Sequence, residues 1–152
     1  MAVLTKDIRE GVYYDEDGNS HTYACRILAL ASRSQDGTLQ CPSLEFLHEE
    51  HRRDPKQLYR LTALLESTAR YGPRWIGTKF KRVEGTDGLL EFKVFQLRLF
   101  CFQDGGDLIV CTSGCVKKKD RHDPADIETA INWKKAYFQA KNERKLYHES
   151  GH

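Results

Sequence analysis

Residues 89–119 read LLEFKVFQLRLFCFQDGGDLIVCTSGCVKKK, and this stretch decides the fold. Asp104-Gly105-Gly106-Asp107 has the signature of a two-residue hairpin turn, because paired glycines supply the positive φ that a primed turn demands. The flanking runs 97–103 and 108–116 are rich in aromatic, aliphatic and β-branched residues, as paired strands are. A turn at Gly105-Gly106 predicts Phe102 opposite Ile109, Phe100 opposite Cys111 and Arg98 opposite Ser113. Side chains alternate along a strand, so Arg98, Gln96, Ser113, Cys115 and Lys117 are expected on one face, with Cys111 on the same face as Cys115. A cation in mid-strand among apolar residues is costly unless it meets a partner or open water. Lys117, Lys118 and Lys119 then close the last strand. The hairpin is expected to present positive charge from its surface and its exit.

Upstream, Asp54-Pro55-Lys56-Gln57 is a helix start, with a capping Asp, a Pro at the first helical position and a Gln able to reach back. Leu58, Leu61, Leu65 and Ala69 recur at spacings of three and four, which defines one buried stripe, and Gly72-Pro73 ends it. A shorter helix is predicted to begin at Pro42 or Ser43, with Leu44 and Leu47 inward. Downstream, Asp123-Pro124 opens a third helix whose face is traced by Ile127, Ala130, Ile131, Lys134 and Phe138. Residues 1–20 read as an N-terminal extension, in which Tyr13–Ser20 ends a short strand and enters a polar turn. A strand over His21–Leu30 would complete that hairpin. The main domain is expected over 21–146, with 147–152 a frayed tail. The fold class is α+β: an N-terminal strand, two helices, a three-stranded antiparallel meander completing one twisted sheet, and a C-terminal helix.

At 152 residues one domain can bury a proper core without disulfides or a metal. Five cysteines, an odd count without a C-x-x-C, point to buried free thiols and a reducing, cytoplasmic setting. No apolar run approaches the ~20 residues of a membrane helix, and no signal peptide is evident. The net charge of +2 conceals a polarity. Residues 1–54 carry 6 Lys and Arg against 10 Asp and Glu, whereas residues 74–121 carry 10 against 6. The basic excess falls on the strand region, where an anionic partner could dock. Metal chemistry finds little support: His48 and His51 stand three apart, not four, and Asp15–Asn19 fails the ligand spacing of a calcium loop. No Gly-rich phosphate loop or nucleophile elbow occurs. What remains is a cluster of cations, Lys79, Lys81, Arg82, Lys93, Arg98, Lys117, Lys118, Lys119 and Arg121, interleaved with phenylalanines. That mixture suits single-stranded nucleic acid, whose phosphates take cations and whose bases stack on rings.

Several short motifs resemble, in order, the HigB-like, phage-associated branch of the RelE/ParE toxin superfamily. They are Pro42–Leu47, the helix running to Gly72-Pro73, Lys81–Gly85, Leu90–Lys93, Leu97–Phe100, Asp104–Gly106, the lysines at 117 and 118, and Pro124 with Ile127 and Ala130. The resemblance covers about residues 23–140 and makes 21–146 a RelE/HigB-like toxin domain. It implies the toxin of a type II toxin–antitoxin pair, an endoribonuclease that cleaves mRNA, commonly on the ribosome, and is silenced by a cognate helix-turn-helix antitoxin. The implied chemistry uses no metal or other cofactor: the RNA 2′-OH attacks the adjacent phosphate, while the protein positions it, neutralises charge and moves protons.

By position in that family, Arg98 holds the scissile phosphate and Lys117 and Lys118 stabilise charge or act as acid and base; the alternative for Arg98 is a salt bridge to Glu91 that merely holds the strands. Lys81, Arg82, Lys93, Lys119 and Arg121 bind the RNA around it. Two alternatives share the scaffold: a non-catalytic RNA- or protein-binding module, and a gyrase-directed toxin of the ParE type. The chain departs from the family at Ser113-Gly114-Cys115, where related sequences carry histidine-glycine-phenylalanine, and Ser113 cannot replace an imidazole at neutral pH. His122 and Tyr137 lie nearby in sequence or on the last helix, placed by no motif.

Overall fold

The computed structural model describes residues 1–150, the side chains of 74–76 excepted. Strand β1 (Ala2–Arg9) leads into a hairpin of β2 (Val12–Tyr14) and β3 (Ser20–Thr22), then β4 (Arg26–Arg33) and the two-residue β5 (Leu39–Gln40). Helices α1 (Pro42–Arg53) and α2 (Pro55–Tyr71) follow. A 3-10 segment (Pro73–Lys79) then precedes β6 (Phe80–Arg82), β7 (Leu90–Val94), β8 (Leu97–Gln103) and β9 (Leu108–Val116). Helix α3 (Pro124–Asn142) and β10 (Leu146–Glu149) complete the chain. The result is a mixed α+β fold with a mostly antiparallel sheet and three helices, compatible with the RelE-like arrangement expected. No helix of the described residues is long and apolar enough to cross a membrane.

The sheet runs in the order β10-β1-β4-β9-β8-β7-β6, with β5 appended to β4. Two of its pairings are parallel, β4 with β9 and β1 with β10. Strand β4 sits deep in the sheet and is buried without a break from Ile27 to Ser32, because helices cover both faces. Ile27, Ala29 and Ala31 pack toward Leu61, Leu64, Leu65 and Ala69 of α2. Leu30 faces the other way with Phe102, Val110 and Tyr137 of α3. Helix α2 starts as its sequence predicts: Asp54 accepts from the Gln57 amide at 3.2 Å, and the Gln57 side chain donates to the same carboxylate at 2.6 Å. Helix α3 is tied to the β8–β9 turn, since the Tyr137 hydroxyl donates to Asp104 and Lys141 Nζ lies 2.7 Å from that carboxylate.

Several expectations need correction. The β8–β9 register differs: Gln103 pairs with Ile109, Phe102 with Val110 and, beyond a bulge, Phe100 with Ser113 and Arg98 with Cys115. The cause lies outside the hairpin. Asp107 gives its carbonyl to the Arg26 amide at 2.8 Å, where β4 begins, so it joins the glycines in a longer turn closed by Asp104 N to Leu108 O. Thr112 is the bulged residue, its hydroxyl donating to the Phe100 carbonyl at 3.3 Å. The bulge also separates the two cysteines: Cys111 packs on the α2 side and Cys115 on the α3 side.

The N-terminal segment does not stand apart as a whole, because Leu4 and Ile8 of β1 are buried in the main sheet. Only the β2–β3 hairpin is separate from that sheet, and the strand expected over His21–Leu30 is split: His21 and Thr22 pair in the hairpin, while β4, from Arg26, lies in the main sheet. Finally, residues 147–149 of the expected tail are ordered as part of β10, paired with β1; residues 151–152 lie outside those described.

Candidate nucleic-acid interface

Strand register brings the candidate residues together on the face that α3 covers. Lys81 pairs with Glu91, Glu91 with Phe100 and Phe100 with Ser113, forming one row across four strands. The next row is Lys93, Arg98 and Cys115. Glu91 is only 1% exposed, and a carboxylate so deep must find cations. Lys81 Nζ lies 3.8 Å and Arg98 Nε 3.9 Å from Oε1, while His122 Nε2 lies 2.7 Å from Oε2. The histidine contact is of ion-pair distance, with an angle short of a hydrogen bond. The ring of His122 stands edge-on to Phe100, centroids 5.2 Å apart, and its Nδ1 has no protein hydrogen-bond partner among the described residues.

Above Glu91 and His122 opens a cleft of about 810 Å³, lined also by Lys81, Arg82, Lys117 and Arg121. Glu84, Asp120, Glu128 and Lys135 line it as well, so its charge is mixed. An adjoining hollow of about 500 Å³ shares Lys117, Arg121 and His122 and adds Lys118 and Lys119, together with Asp123 and Asp126, so its charge is mixed too. Across both, the segment after β9 supplies most of the cations. Six of the eight residues expected to contact RNA thus gather here: Lys81, Arg82, Lys117, Lys118, Lys119 and Arg121. Lys93 is exposed on the same face but lines neither hollow.

Arg98 differs from its expected place at a phosphate. Its side chain is 7% exposed, and Nη1 donates to the carbonyls of Phe95 and Leu97. The guanidinium is turned into the protein, where it ties the β7–β8 turn and stands beside Glu91. Ser113 is likewise buried, its hydroxyl 3.4 Å from that of Thr112, and stays out of the cleft. Cys115 offers no thiolate: burial, with help from Asp126 and Glu91, pushes its thiol up to about 12. The Tyr137 hydroxyl is also held protonated, by burial and by its bond to Asp104.

The pair that sequence reasoning missed is Glu91 with His122. One signal was present, since His122 is the only histidine between His51 and His148 and sits inside the basic segment. The sequence offers Glu91 as a cross-strand partner for Arg98, and Arg98 Nε does lie 3.9 Å from it, but the contact of Glu91 with His122 carries no sequence signal.

Residues 51–135 match the model of a family described as phage derived protein Gp49-like. The matched span runs from the end of α1 into α3 and includes Glu91, Arg98, Lys117, Lys118, Lys119 and His122. No curated protein matches the sequence.

Proposed function

Because the chain belongs to the phage-derived Gp49-like family, which is associated with toxins of toxin–antitoxin pairs, we propose that it is an endoribonuclease toxin acting on mRNA. The observation that carries this reading is a histidine seated 2.7 Å from a buried carboxylate, in a cleft rimmed by Lys81, Arg82, Lys117 and Arg121. An imidazole exchanges protons near neutral pH, and cations beside it take up phosphates. RNA supplies its own nucleophile. The bond from 2′-O to phosphorus forms and the bond from phosphorus to O5′ breaks, leaving a 2′,3′-cyclic phosphate and a 5′-hydroxyl.

In that reaction His122 takes the 2′-OH proton or returns one to O5′, and Glu91 holds the ring and stabilises its cationic form. Lys117 and Lys118 neutralise the charge building on the phosphorane. Lys81, Arg82, Lys119 and Arg121 bind flanking phosphates, with Lys93 at the margin. Arg98 is a positioning residue that acts through Glu91 and the β7–β8 turn. The partner that silences the toxin is a small helix-turn-helix antitoxin, and the ribosome is where mRNA is presented.

The inward turn of Arg98 favours a second reading, a module on the same scaffold that binds RNA or protein without cutting it. Inducing the chain in cells and mapping RNA ends separates the two. New 5′-hydroxyl ends and growth arrest, both lost in His122→Ala, support the nuclease. Intact mRNA with undisturbed growth rules it out.

A further inference from the structure

A second group of chemistry-bearing side chains lies at the other end of the sheet, where β1 meets β10. His148 Nε2 is 2.9 Å from Asp7 Oδ1 and 3.3 Å from Glu10 Oε2. The three ligand atoms all lie within 4.8 Å of one another. A metal bound at 2.0–2.2 Å sets its ligand atoms roughly 3.0–3.6 Å apart, and two of the three separations, 2.9 Å and 3.3 Å, are close to that already.

Thr5 holds the other ring nitrogen. It pairs with His148 across the β1–β10 ladder and is itself buried. Its hydroxyl donates to the Tyr147 carbonyl at 3.4 Å and lies 2.8 Å from His148 Nδ1. In the tautomer whose Nδ1–H donates to this hydroxyl, the Nε2 lone pair is aimed at Asp7 and Glu10. Three electron-rich atoms then converge on one point, where a proton on Nε2 or a metal ion can sit. A ligating histidine whose other nitrogen is fixed by a hydrogen bond is the arrangement that metal sites use. Arg26 Nη2, 2.8 Å from Glu10 Oε1, plays the same orienting part for the carboxylate and leaves Oε2 to the cluster.

We propose that Asp7, Glu10 and His148 bind one divalent transition-metal ion of the zinc type. One imidazole with two carboxylates suits Zn²⁺, whereas Mg²⁺ prefers an all-oxygen shell. In strand order the site is at the opposite end from β6 and β7, which border the cationic cleft, so its role is structural and independent of RNA. The ion staples β10 to β1.

The test is titration of the intact, metal-stripped chain with ZnCl₂ and, in parallel, MgCl₂, read by calorimetry and thermal unfolding. Zn²⁺ is expected to bind at one equivalent and to raise Tm by about 3–6 °C at a free concentration about ten times Kd. Mg²⁺ is expected to do neither. Glu10→Gln keeps the shape of the side chain and should weaken Zn²⁺ binding at least tenfold, as should His148→Gln; Zn²⁺ should also move the ¹⁵N resonance of His148 Nε2. The proposal is overturned if Zn²⁺ does not bind below about 1 mM, which leaves a protonated His148 between two carboxylates. It is equally overturned if one equivalent binds with unchanged affinity to both variants, which places the ion elsewhere, at a thiol.

Discussion

Arg98 Nη1 donates to the main-chain carbonyl of Phe95, and Phe95 holds φ at +49° with its ring 60% exposed at the tip of the β7–β8 hairpin. A bulky residue in the left-handed region is strained and persists only where its surroundings hold it. Arg98 does so while offering Nε to Glu91. Removing it frees the turn and leaves Glu91 with one cation fewer, so Arg98→Ala should lower stability by about 2–4 kcal/mol in urea unfolding. Assayed well below both melting temperatures, the variant should lose less RNA cleavage than His122→Ala. An equal or greater loss would return Arg98 to the phosphate.

His122→Ala should reduce cleavage on the order of 10²–10⁴-fold, the range of a lost proton-transfer group. Tm should fall as well, because the side chain is largely buried and Glu91 loses its nearest partner, so cleavage is compared well below both melting temperatures. Single-turnover cleavage of a fluorescent RNA, with circular dichroism melts alongside, measures both. RNA affinity should survive, since the lysines and arginines that take up phosphate remain.

Glu66 sets the acid limb of stability. Burial raises its pKa, but bonds from Arg70, Tyr23 and Arg9 outweigh burial and hold it below 4.5. A carboxylate with a depressed folded pKa contributes stability that is complete above its unfolded value and lost as pH falls through the folded one. Wild type should therefore weaken steeply below about pH 4.5 and Glu66→Gln much less, although the variant starts from a lower Tm. The same change should bring Tyr23, pushed up to about 12 by burial and by Glu66, back toward 10 in an absorbance titration.

Gly114 lies under α1 with no room to spare. A Cβ there would come within 2.3 Å of Phe46 Cδ2. Gly114→Ala should cost roughly 1–3 kcal/mol by overpacking, and Phe46→Leu in the same chain should recover part of it. Additive losses in the double variant would show that the clash is relieved some other way.

Local chemistry made the helices legible. Asp54, Pro55 and Gln57 act within one turn, and the apolar stripe of α2 repeats at helical spacing, so both could be read without knowing what lies opposite. The β8–β9 register could not be, because Asp107 answers to Arg26, eighty-one positions away in the chain, and Thr112 bulges toward Phe100. The same non-local ties hid the functional pair. Cations of the cleft announced themselves as a basic run after β9, whereas Glu91, legible only as a cross-strand partner for Arg98, gained its place in the cleft when strand pairing set it beside Lys81 and brought His122 over it. Arg98 read as an interface residue because a mid-strand cation has two ways to be satisfied, and sequence does not reveal that the backbone carbonyls one and three residues before it are one of them.

The parallel pairing of β1 with β10 has a consequence for synthesis on the ribosome. Val3 meets Leu146 and Lys6 meets Glu149, so β1 waits until β10 has been made before its outer hydrogen bonds are closed. Until then β1 is an open edge with one side of its ladder unpaired, a template for another nascent copy. A chain cut short before Leu146 would keep that edge permanently, and its characteristic fate would be edge-to-edge self-association rather than simple loss of stability.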